Sequence, residues 1–126
     1  MPYQFSIDVE RNLVRECYTG PVTVEDLIAC SKEEWAHPDY HGGMDVIVDC
    51  RDARFQLTRD QMHDYAALLA STDAVGRQAI IVSTTLGRGL ARMFELTAES
   101  SFDVWKDSRV FTSIEDAELW LSGAVK

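Results

Sequence analysis

Two short apolar runs, Met44 to Cys50 and Ala79 to Val82, are each followed by a helix-period stripe. Strand-helix alternation of this kind restricts a chain more than any other feature here, because it leads to crossovers and a parallel sheet. In the first run Met44, Val46, Val48 and Cys50 share one face and Ile47 lies on the other, so the strand is apolar on both sides. Thr58-x-x-Gln61 forms a capping box, and Met62, Tyr65, Ala66 and Leu69 give the stripe behind it. After the second run, Thr84 or Thr85 caps a helix carrying Leu86, Leu90, Met93 and Thr97.

The flanking segments complete the pattern. Tyr3, Phe5, Ile7 and Val9 alternate with polar residues as a half-buried strand, and Leu13 to Thr19 returns as a hairpin partner until Gly20-Pro21 breaks it. Thr23 is an N-cap with acid in the following turn, and Val24, Ile28, Ser31 and Trp35 form the inward stripe of a helix ending near Ala36, ahead of Pro38. The spacing predicts a loop over 37–43 and irregular chain from Arg51 to Leu57. Phe102 to Trp105 reads as the last strand, with Arg109 to Phe111 extending or following it. Ser113-x-x-Asp116 caps a final helix with Ile114, Ala117, Trp120 and Leu121 inward, and Gly123 ends it. The expected fold class is therefore α/β, one domain over 1–126, with a mostly parallel five-stranded sheet and an N-terminal antiparallel hairpin. At 126 residues the chain can bury roughly two-thirds of its unfolded surface without staples.

A net charge of -9 argues against nucleic acid and against anionic membrane surfaces. The three cysteines, Cys17, Cys30 and Cys50, are odd in number and widely spaced, so reduced thiols in a cytoplasmic protein are the simpler reading than disulfides or zinc. No signal peptide and no apolar run of membrane-spanning length is visible.

Three stretches carry a family resemblance. They are His37-Pro38-Asp39-Tyr40 with Met44 to Asp52, Gly87-Arg88-Gly89-Leu90-Ala91-Arg92-Met93-Phe94-Glu95, and Val110 to Leu121. From about Thr19 to Gly123 the chain resembles the small bacterial SpoIIAA-like domains, related to STAS domains and grouped with SEC14/CRAL-TRIO-like sequences. The resemblance implies a right-handed β/α superhelix with helices mainly on one face of the sheet. It implies a regulatory or interaction role, with a protein partner, and in characterised STAS relatives a phosphorylated Ser opens the helix after the second parallel strand. The matching neighbourhood here is Phe55-Gln56-Leu57-Thr58-Arg59, which makes Thr58 the hydroxyl to test as a phospho-switch.

The middle of the chain, 51–94, has six bases, all arginine, against four acids. Arg51 and Arg54 follow one predicted strand, Arg59 opens a helix, and Arg88 and Arg92 open the next beside Thr84, Thr85, Gly87 and Gly89. Loops after strand C-termini converge in open α/β sheets and helix N-termini favour anions, so these nine positions form a candidate anion or ligand site. The competing reading pairs the arginines with Asp49, Asp52, Asp60 or Glu95. Cys50 is either a thiol activated by Arg51 or a buried core residue. His37, His41 and Asp39 are too few for a closed zinc site. Asp45, Asp49 and Asp52 cluster around one strand without a nucleophile. No catalytic signature, metal set or cofactor motif is expected. The reading is a non-enzymatic regulatory or interaction module. A binding or carrier protein for an anionic or lipid-like small molecule is the alternative, and an enzyme using Cys50 or an Asp the third. A sheet covered mainly on one face also suggests homodimerisation through the other.

Overall fold

The structure is a computed structural model and describes residues 2–70, 76–83 and 108–123. Five strands form one sheet in the order β1 (Tyr3–Asp8), β2 (Leu13–Val22), β3 (Asp45–Phe55), β4 (Gln78–Ile81), β5 (Ser108–Phe111). β1 and β2 are antiparallel and every later pair is parallel. Helix α1 (Val24–Trp35) joins β2 to β3, α2 (Arg59–Ala70) lies between β3 and β4, and α3 (Ile114–Leu121) follows β5. Each crossover advances one strand in the same direction, which is the expected α/β superhelix behind an N-terminal hairpin.

The caps form as expected. Thr23 accepts from the Asp26 N–H at 3.3 Å while the Asp26 carboxylate takes the Thr23 N–H at 2.9 Å. Thr58 and Gln61 bond reciprocally at 2.9 and 3.1 Å, and Ser113 accepts from the Asp116 N–H at 3.1 Å. Two boundaries differ from expectation. β2 does not stop at Gly20 but runs to Val22, with Gly20 at φ +67° inside the paired stretch that follows an irregular register between Cys17 and Thr19. β3 likewise continues through Arg51 to Phe55, pairing with that extension, so the stretch expected to be irregular is strand. Gly76 permits another close approach: a side-chain carbon there would lie 2.6 Å from the Gly43 carbonyl oxygen.

The core is split by the sheet. On one side α1 and α2 bury Tyr18, Val22, Leu27, Cys30, Val48, Cys50, Tyr65 and Ile80. On the other α3 buries Ala117 and Trp120 against Leu13, Ile47, Ala79 and Ile81. Over β1 to β3 this second side shows exposed Gln4, Ser6, Cys17, Thr19 and Arg51. Among the described residues it is a polar surface, not the open apolar sheet face from which homodimerisation was expected. Trp35 and Trp120 take core positions as expected; Trp105, the strand Phe102 to Trp105 and the helix beginning near Leu86 lie outside the described residues. Among the described residues no helix is long and apolar enough to cross a membrane.

Candidate functional site

The arginine site was expected at nine positions. Thr84, Thr85, Gly87, Arg88, Gly89 and Arg92 lie outside the described residues. Arg51, Arg54 and Arg59 are exposed. Arg51 grips Asp49 with two side-chain bonds, Nε to Oδ1 at 3.0 Å and Nη2 to Oδ2 at 2.7 Å. That fork holds the Asp49 carboxyl below its usual range. Arg59 opens α2, on the side of the sheet opposite α3. Thr58 is exposed, and its hydroxyl already serves as the α2 cap.

Cys50 is buried in the α1–α2 core, and burial pushes its thiol up, followed by the nearby charges of Glu16 and Asp49. Of its two readings Cys50 takes the buried core position, and the neighbouring Arg51 is bonded to Asp49. Cys17 is the exposed cysteine, and it too is shifted up, by desolvation and then by Asp49 and Asp52. A thiol reagent at neutral pH is therefore expected to modify Cys17 at an ordinary, slow rate. Cys30 and Cys50 should react only after denaturation, and rapid modification of a second thiol in the native protein would contradict this. The loop histidines are engaged locally: His37 Nδ1 accepts from the Asp39 N–H at 3.1 Å, and His41 Nδ1 meets the Gly42 carbonyl at 3.0 Å.

The concentration of chemistry lies elsewhere, beneath α1. Strand alternation sends Glu16 and Tyr18 to the helix-covered side of β2. Helical spacing sends Cys30, Ser31 and Glu34 inward from α1, with Cys30 and Glu34 one turn apart. Glu34 is only 4% exposed, and Glu16 is partly buried opposite Phe5. A carboxyl oxygen of each glutamate lies within 4.8 Å of the other, and the contact favours the proton on Glu34 over Glu16. The Tyr18 hydroxyl donates to Glu16 Oε1 at 3.2 Å and the Cys30 thiol donates to Glu34 Oε2 at 3.1 Å. Ser31 and Tyr65 share a bond of 2.8 Å that ties α1 to α2. Tyr3, on β1, bonds Glu33 on the outer side of the same helix.

Desolvation is the main force on both acids, and Glu16 adds repulsion to Glu34, which is pushed up to about 10. At neutral pH Glu34 is therefore a neutral acid and a hydrogen-bond donor. Tyr18, Tyr65 and Cys30 are likewise raised, first by burial, so the donors of the cluster are neutral. Ligand atoms of Glu16, Cys30 and Glu34 lie within 4.8 Å of one another. The arrangement lets the two carboxyls share a proton.

None of these three residues was singled out by sequence reasoning beyond the count of cysteines. The signal was present but faint: Leu27, Cys30 and Glu34 recur at three- and four-residue steps on the buried face, where an acid is out of place.

No family model matches the chain, and no curated protein matches it in sequence. In structure it is similar to an uncharacterised Shewanella loihica protein of the DUF3478 family with a SpoIIAA-like fold. The two share 18% identity, with a TM-score of 0.62 over 94% of this chain and 93% of that one. Likeness at this identity speaks to architecture alone, and the architecture of this chain is the SpoIIAA-like fold.

Proposed function

We propose that the domain acts by binding, as a non-enzymatic regulatory or interaction module of the cytoplasm, and that the solvent face of α1 and α2 receives a protein partner with a basic surface. The observation that supports this reading is the contrast between the two faces of these helices. Outward, Glu25, Glu33, Asp60 and Asp64 are exposed against Lys32 and Arg59. Inward, the Cys30 thiol and the Glu34 carboxyl are buried, and the Glu16–Glu34 pair keeps a proton. A net charge of -9 extends the same sign over the whole molecule and would speed encounter with a cationic surface. The anionic-ligand alternative has less support, since Asp49 already neutralises Arg51.

Photo-crosslinking residues at Glu25 and at Asp64, in the native cells, test the reading. Both positions should capture the same protein, more weakly as salt is raised, while a control at Gln4 should not. Capture from all three positions alike, or from neither helix, would contradict it.

A further inference from the structure

The Glu16–Glu34 contact joins two elements that are far apart in sequence, a sheet strand and the last turn of α1. We propose that it is a proton-operated latch: with the pair protonated the C-terminal half of α1 is docked on the sheet, and loss of the proton releases it. The inference stands apart from the partner reading above and rests on the groups that surround the pair.

Those groups can be named element by element. β1 contributes Tyr3, whose hydroxyl is taken by Glu33, and Phe5 opposite Glu16. β2 contributes Tyr18, and β3 contributes Cys50. α1 supplies Cys30 and Glu33, and α2 supplies Tyr65. The loop after α1 brings Tyr40, hydrogen-bonded to Trp35, and His37, whose ring meets Phe5 edge-on at 6.2 Å. Among the described residues no Lys, Arg or His bonds either carboxyl. Among the described residues, a second negative charge in the pair would therefore face the first one directly, with hydroxyl and thiol donors and a further acid around it. Water can relieve that repulsion if Glu34 leaves the sheet, and Glu34 leaves it only with the end of α1.

The sign follows from linkage. The docked helix holds a proton that the released one gives up above the ordinary carboxyl range, so release rises with pH from about 5 up to about 10. Hydrogen exchange of the α1 amides between pH 6 and 9, corrected for intrinsic rates, reads this directly. In the wild-type chain the opening constant of residues 30–35 should rise by up to about tenfold per pH unit, for one proton released. The amides of α3, on the other side of the sheet, should not follow. Glu34→Gln keeps the donor and removes the charge, and its opening constant should stay flat within about twofold over one pH unit. Glu16→Gln should flatten the response as well. A wild-type opening constant independent of pH would overturn the latch, as would an equal rise in both glutamine variants. Should a variant fail to fold, the wild-type contrast between α1 and α3 still decides.

Discussion

Replacing Arg77 with alanine should lower stability by about 2–3 kcal/mol, from loss of charge-assisted hydrogen bonds at a partly buried site. Its guanidinium donates to Asp45 Oδ2 at 3.0 Å, to the Trp120 carbonyl at 3.2 Å and to the Leu121 carbonyl. It also lies over the Trp120 ring at 5.6 Å. One side chain thus ties the start of β3 to the end of α3. The carbonyls at that helix end have no intrahelical donor and attract positive charge. Alanine leaves the Leu121 carbonyl without that donor, leaves the Trp120 carbonyl with only the Gly123 N–H at 3.1 Å, and leaves Asp45 with only the backbone N–H of residue 77, at 2.8 Å. The Asp45 pair alone would be worth little at its exposure, so most of the loss comes from the helix end. Arg77→Lys should recover only part of it, because an ammonium cannot span three acceptors as a planar fork does. Urea unfolding at neutral pH checks this, and a loss under about 0.5 kcal/mol, the range of ordinary surface substitutions, would refute it.

The pH dependence of stability should be unusual, and Glu34 should control it. Acids raised in the folded state contribute stability that is complete below the ordinary carboxyl range and lost as pH rises toward the folded value. For Glu34 that window runs to about 10, and Glu16 is displaced in the same direction. Stability should fall by about 1 kcal/mol per pH unit for each proton involved, on the alkaline side of pH 5. Asp49 and Glu118 act oppositely, since Arg51 and Arg15 hold their carboxyls low and that contribution fades in acid. Both pairs are solvent-screened and small, so the maximum should lie on the acid side of neutral. Glu34→Gln should remove most of the alkaline slope and equal or exceed the wild type at pH 8. Glu34→Ala should instead cost about 2 kcal/mol, because it opens a cavity and strips Glu16 and Cys30 of a partner. Urea unfolding across pH 5 to 9 distinguishes the three proteins. A wild-type curve as flat as that of Glu34→Gln would contradict the assignment.

Local signals in the sequence carried most of the fold. Alternation found β1, the caps at Thr23, Thr58 and Ser113 stand where their residue types placed them, and Pro38 bounded α1. Strand ends were harder. Arg51, Asp52 and Arg54 are exposed, so their polarity resembled a loop although the backbone stays paired with β2. Of the stripe expected at Val24, Ile28, Ser31 and Trp35, Val24 and Ser31 are buried and the other two partly so, but the buried face is wider and takes in Leu27, Cys30 and Glu34 as well. That extra width turns Glu34 from an ordinary surface acid into a core residue. Its partner Glu16 comes from another element, so neither residue announces the pair alone. Arg77 belongs to the same class, since its acceptors lie 43 and 44 residues away.

The central claim is that two carboxyls beneath α1 keep a proton between them at neutral pH. Carbon-13 NMR of the glutamate side-chain carboxyls, followed from pH 4 to 10 in the wild-type chain, observes it directly. The account predicts one resonance, assigned to Glu34 through its loss in Glu34→Gln, that still has the shift of a protonated acid at pH 7 and moves only well above it. If every glutamate carboxyl has titrated by pH 6 while the fold remains intact, the shared proton does not exist and the latch built on it fails.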